Sequence, residues 1–293
     1  MSYARVERKM CEDEYVSFHL YRRLARLPLV SENLRKTLRK AAEDELKHYE
    51  FWKSFAGECA SIASKLKVLL YTVMFYLFGL TVTLKFIESK EARAASIYEN
   101  IASEKPEVAG VLKEIVEDEE RHEAEFAESI DEGRVKYIGS ITLGISDALI
   151  ELTGIYTGSL GAFENTLSAG LTGLLAGVAA SISMGAAAYA QAKHEYRLNP
   201  KLSALYTFAA YIAVAAILAA PYFMVSSILV AFTVMMLLAT AIVAYVSFYS
   251  AVLRSKSYLK EFAETLVMVL GVSLALYVLG SVLGELLGVT RIE

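Results

Sequence analysis

The stretches EDELKHYEFW (Glu43 to Trp52) and EDEERHEAEF (Glu117 to Phe126) repeat one phrase, Glu-Asp-Glu-x-basic-His, 74 positions apart. On a helix, residues i and i+3 share a face, so Glu45 is presented with His48, and Glu119 with His122. The same offset carries Glu88 back onto Glu14, which extends the repeat to two helix pairs. Four helices bearing Glu14, Glu45 with His48, Glu88, and Glu119 with His122 supply the ligand set of a dinuclear metal bundle. Two Fe(II) ions bring four positive charges into such a core, and four glutamates neutralise them while bridging the metals. The imidazoles complete a coordination suited to iron or manganese. Glu91, three residues after Glu88, adds a fifth carboxylate. A solvated, salt-bridged helix face is the plainer reading of any single Glu-x-x-His, and the doubled, in-register set favours metal. Tyr21, Tyr49 and Tyr98 are candidates to lie near the metals and shuttle electrons, but in a chain with 18 tyrosines their positions do not single them out and they stay outside the site; His19 is expected on an exposed face of the first helix.

Helices must hold these ligands, and Pro28 and Pro106 fall where the helix pairs are interrupted. The 293-residue chain is 55% hydrophobic and 21% charged, a mixture that points to two unlike parts. Residues 1–137 hold 22 of the 29 Lys and Arg and 25 of the 33 Asp and Glu. A net charge of -4 with interspersed signs gives no reason to expect nucleic acid. Cys11 and Cys59, without a Cys-x-x-Cys pair, argue for neither a disulfide scaffold nor a zinc site, and a reducing compartment fits. No apolar core segment opens the chain, so no cleavable signal peptide is expected.

Beyond Lys136 the apolar runs are long: roughly Tyr137 to Leu160, Leu167 to Ala192, Leu202 to Ala220, Tyr222 to Val252 and Phe262 to Gly288. Each reaches the roughly 20 residues a bilayer core requires, and only helices satisfy their backbone there. Lys193, Arg197 and Lys201 follow span two, and Arg254, Lys256 and Lys260 follow span four, which assigns those loops, and the N-terminal domain, to the cytoplasm. The loop Gly158 to Thr166 and a turn around Pro221 carry no Lys or Arg and fall outside. Gly173 with Gly177, and Gly280, Gly284 and Gly288, have the spacing of close helix contacts, within a chain or between subunits. The uncharged run Val68 to Leu84 is expected as a buried or interface-lying helix, because a crossing there would separate Glu45 from Glu119.

Asp147 and Glu151, at i and i+4 in span one, share a face. Each costs roughly 2.5–3.5 kcal/mol in a bilayer core even on the lenient scale, so they are expected to line a pathway. Met184 in span two adds a thioether compatible with transient transition-metal binding, and Glu195 stands at that span's cytoplasmic mouth.

Residues 5–132 resemble a rubrerythrin or ferritin-like domain, including the Glu88-x-x-Glu91 pair, although no four-cysteine rubredoxin-type module is present. The motifs GxSDxL at Gly144 to Leu149 and SMGxxxYxxxKxE at Ser183 to Glu195 resemble the vacuolar iron transporter family. That resemblance implies an all-α chain: a cytoplasmic ferritin-like four-helix bundle over 1–134 and a five-helix transmembrane domain over 135–293. It also implies Asp147 and Met184 along the metal path, Glu195 near its entry, and a homodimer. The combination is similar to membrane-bound ferritin proteins that export iron. Glu151 departs from the family pattern and is a candidate proton carrier. The Lys193 to Lys201 loop is too short for the metal-gathering helices of plant-type members. The implied activity is export of Fe(II) or Mn(II) by proton antiport, with a di-iron centre capturing or sensing the metal. The competing expectation is a membrane-anchored di-iron oxidase or peroxidase, including ferroxidase chemistry. A third reading is a bundle that merely pairs two membrane domains.

Overall fold

The computed structural model describes residues 3–28, 30–129, 133–160, 165–195 and 198–286; the side chains at 3, 88, 90–96, 99, 100, 133, 134 and 284 lie outside that description. The described residues form helices and their connections, with no strand. In order these are α1 (Tyr3–Leu24), α2 (Glu32–Ala56), α3 (Ile62–Phe78), α4 (Leu80–Glu104), α5 (Ala109–Ser129), α6 (Gly133–Lys136), α7 (Ile138–Ser159), α8 (Thr166–Ala192), α9 (Pro200–Met224), α10 (Ile228–Leu253) and α11 (Tyr258–Leu286). The chain divides into two compact units, residues 1–132 and 133–293.

In the first unit local signals set the helix ends. The Ser31 hydroxyl accepts from Leu34 N at the start of α2, and Gly57 closes that helix at φ 71°. Gly79, at φ 84°, ends α3 and begins α4, and so cuts the uncharged run Val68 to Leu84 into two helices. α2 packs on α1 and α5, α4 packs on α5, and α3 bridges α1 and α4. Leu20, Leu24, Leu38, Leu84, Leu112, Ile115, Trp52 and Phe126 are fully buried. His19 is half-buried rather than exposed, because its ring lies against Tyr15 and Phe18.

The cysteines correct an expectation. Cys11 on α1 and Cys59 after α2 form a disulfide, with Cα atoms 6.1 Å apart across 48 positions. Spacing alone does not reveal it, because only the antiparallel α1–α2 hairpin and the turn at Gly57 bring the two sulfurs together.

In the second unit α7 to α11 are each long and apolar enough to cross a membrane, and α3, at 17 residues, is not among them. α7 lies at the middle of this unit and contacts α8, α9, α10 and α11. A Cβ on Gly144 would overlap the Thr207 carbonyl oxygen, one on Gly177 would come within 2.7 Å of Ala215 Cβ, and one on Gly280 within 2.9 Å of Gly158 O. These glycines, with Gly173 against Tyr156, therefore serve helix contacts within the chain; Gly288 and the surroundings of Gly284 lie outside that description. Pro221 is not in a turn but inside the last turn of α9, and Val225 N donates to its carbonyl at 3.0 Å. Pro221 has no N–H, so the Ile217 carbonyl one turn back cannot receive its usual helical donor.

Candidate metal centre

Glu14 from α1, Glu45 and His48 from α2, and Glu119 from α5 converge, each offering a ligand atom within 4.8 Å of the others, and the cluster could hold a metal ion. Glu14, Glu45, His48 and His122 are buried; Glu119 keeps partial exposure. His48 Nδ1 lies 3.7 Å from Glu14 Oε2, 3.5 Å from Glu119 Oε1 and 4.0 Å from Glu45 Oε2. His122 Nδ1 lies 3.4 Å from Glu45 Oε1 and 3.8 Å from Glu119 Oε2. Glu45 and Glu119 therefore each turn one oxygen toward each imidazole, an arrangement suited to carboxylates shared between two cation positions.

The outer ring edges are held by two aspartates, Asp118 and Asp44. Nε2–H of His48 donates to Asp118 Oδ2 at 3.2 Å, and Nε2–H of His122 donates to Asp44 Oδ2 at 3.4 Å. A carboxylate accepts only, so these contacts place a proton on Nε2 and turn Nδ1 inward, where it offers a lone pair once its own proton is lost. Arg121 ties the aspartates together, with Nη2 2.7 Å from Asp44 Oδ2 and Nη1 on Asp118; Lys47 adds a second cation 2.7 Å from Asp44 Oδ1. The sequence signal was present, since each Asp directly precedes its Glu. A residue one position along a helix points about 100° away, here toward the neighbouring helix.

Electrostatics favour a cation. Burial opposes the imidazolium of His48, but Glu119 and Glu14 outweigh it and raise its pKa to about 10. Burial alone would raise Glu119, and His122 and His48 instead pull it down to about 2. The protonated imidazole thus partly neutralises the carboxylates, in the place where a metal would do so. Both Nδ1 atoms are buried without a hydrogen-bond partner. Inward-facing imidazole nitrogens among carboxylates fit a metal ion. Glu88 and Glu91 lie on α4, but their side chains fall outside the described residues.

Tyr98, set aside in the sequence reading, belongs to this surround. Its hydroxyl donates to Glu14 Oε1 at 3.0 Å, and its ring stacks on Trp52 at 5.6 Å between centroids. Burial, then the Glu14 charge, push the phenol well above its usual pKa of 10.

In the second unit the structure supplies Glu151 with a partner. Tyr211 Oη, fully buried on α9, donates to Glu151 Oε2 at 2.6 Å. It ends a polar stripe along α9 at every fourth residue, in which Ser203 meets Ser140 at 2.7 Å and Thr207 donates to Ser140 O at 3.0 Å; just before the helix, Asn199 N donates to Tyr137 Oη at 3.1 Å. That i+4 pattern was legible in span three and was missed. Asp147 and Glu151 are both half-buried on α7. Met184 packs, half-buried, against the apolar core of this unit. Glu195 is exposed beyond α8, where its Oε1 accepts from Gln191 Nε2 at 3.4 Å.

Comparisons with protein-family models, curated proteins and solved structures give no match.

Proposed function

We propose that this chain is a membrane transporter that takes up Fe(II), or Mn(II), at the carboxylate–histidine cluster and moves it out of the cytosol through the five-helix unit in exchange for protons. The observation that carries the reading is the convergence of Glu14, Glu45, His48 and Glu119, with His122 beside them, in the same chain as membrane-length helices bearing Asp147 and Glu151. In this reading the first unit is a cytoplasmic ferritin-like bundle and the chain works as a homodimer.

A bound metal pair would supply positive charge and a redox-capable centre. Glu45 and Glu119 would be shared between the two ions, His48 and His122 would hold one each, and Glu14 would close the α1 side. Asp44 and Asp118 keep both imidazoles turned inward. On α7, Asp147 offers the cargo a carboxylate while Tyr211 holds Glu151 in place. Met184 and Glu195 are assigned to the path and its cytoplasmic entry.

The test is purified chain in sealed vesicles with a pH gradient. Fe(II) flux that depends on the gradient and vanishes in Asp147→Ala supports transport. A second reading, a membrane-anchored di-iron oxidase or peroxidase, is favoured by the Tyr98 hydroxyl on Glu14 and the stacked Trp52, a surround suited to moving electrons. Absent flux with steady, Glu45-dependent O2 consumption would select it.

A further inference from the structure

α3 is apolar on both sides. One face, with Val68, Tyr71, Met74 and Phe75, is buried in the first unit. The other presents Ile62, Leu66, Leu69, Leu70, Val73, Tyr76 and Leu77, from 44% to 88% exposed. At about 100° per residue these seven positions fall within an arc of roughly 120°, a continuous stripe rather than scattered side chains. Among the described residues of the first unit, they are seven of the nine exposed large hydrophobics, the others being Phe55 and Val111. A soluble surface rarely leaves such a stripe uncovered.

We infer that this face of α3 lies in the headgroup and upper acyl region of the bilayer, as an interfacial helix. Three observations choose lipid. α3 is as apolar on average as α7 and α8, so its composition suits the same solvent. It is too short to cross, and with one face committed to protein only the other is left to meet lipid. Only eight residues separate α5 from α7, a reach of at most about 30 Å at about 3.6 Å per residue, so the unit is permanently tethered near the bilayer that α7 to α11 would cross. A tether of that length makes a weak surface contact effectively intramolecular.

A second copy of the chain is the rival occupant, and the stripe is small for it. Stable protein interfaces take about 20–30 residues from each side, against seven here. Lys65, exposed at the stripe's edge near the start of α3, is placed to keep its ammonium among headgroups while its stem follows the apolar face.

The experiment places the full chain in phosphatidylethanolamine and phosphatidylglycerol vesicles doped with a phospholipid carrying a photoactivatable diazirine at the top of one acyl chain. Labelled peptides are mapped by mass spectrometry. The expected result is labelling of the α3 peptide as well as α7 to α11, with α1 and α2 unlabelled. In Leu66→Glu with Leu70→Glu, α3 labelling should fall at least fivefold while the spans label as before. These side chains are exposed, so helicity and thermal midpoint should be unchanged. Spans labelled with α3 bare would overturn the inference, as would a double variant labelled like the parent. Efficient disulfide cross-linking between two copies of a Leu70→Cys variant in the same vesicles would overturn it in favour of self-association.

Discussion

Asp118 Oδ2 accepts from His48 Nε2 at 3.2 Å across the α2–α5 contact, and Asp44 accepts from His122 in the opposite sense at 3.4 Å. Each copy of the repeated phrase therefore orients the histidine of the other. Asp44→Ala or Asp118→Ala should lower metal affinity about 10–100-fold with the fold retained, the usual cost of losing the partner that orients a ligand imidazole. Competition with a chromogenic chelator measures it. Affinities unchanged in both variants would mean the aspartates serve only the Arg121 ion pairs.

The metal-free cluster has a pH signature. His48 is raised from 6.5 to about 10, so its contribution to stability is complete below pH 6.5 and is lost as pH rises through about 10. Glu119 is lowered from 4.5 to about 2, so its contribution is complete above pH 4.5 and is lost as pH falls toward 2. The apo bundle should accordingly be firmest between about pH 4.5 and 6.5. At pH 7 an arriving metal must displace the His48 proton, so affinity should increase with pH, and calorimetry in buffers of different ionisation enthalpy should register proton release. Binding without proton release would refute the assignment of His48.

The Cys11–Cys59 bond gives a third outcome. Closing a loop of 48 positions stabilises the fold by roughly 4 kcal/mol in the chain-entropy picture. Reduction should therefore lower the thermal midpoint of the first unit, and the unreduced, denatured chain should titrate no free thiol. Two titratable thiols would contradict the pairing.

The seam between α7 and α9 is tested by glycine. Gly144→Ala would press a methyl group into the Thr207 backbone, which has no flexible end to swing away, and should cost several kcal/mol in detergent unfolding. Gly139→Ala, with nothing within 4 Å, is the neutral control. Tyr211→Phe should cost about 1.5–3 kcal/mol by removing the donor to Glu151, whereas Glu151→Gln should cost less, because the amide oxygen still accepts.

Much of the layout can be read from periodicity. The membrane-length helices follow from uninterrupted apolar runs, and the meeting of Glu14, Glu45, His48 and Glu119 from one repeat. What stayed hidden depends on neighbours in space. The Asp44 and Asp118 pairing needs the α2–α5 contact, Tyr98 reaches Glu14 from 84 positions away, and the disulfide needs the α1–α2 hairpin. The run Val68 to Leu84 misleads by composition alone, because its break rests on the single positive φ of Gly79.

The most direct measurement is metal content. The full chain is loaded anaerobically with Fe(II), freed of excess and analysed by mass spectrometry beside Glu45→Ala with Glu119→Ala. About two tightly held ions per chain are expected in the parent, and their loss in the variant. Parent protein retaining only trace metal, or a variant retaining as much as the parent, would contradict a metal centre at this cluster.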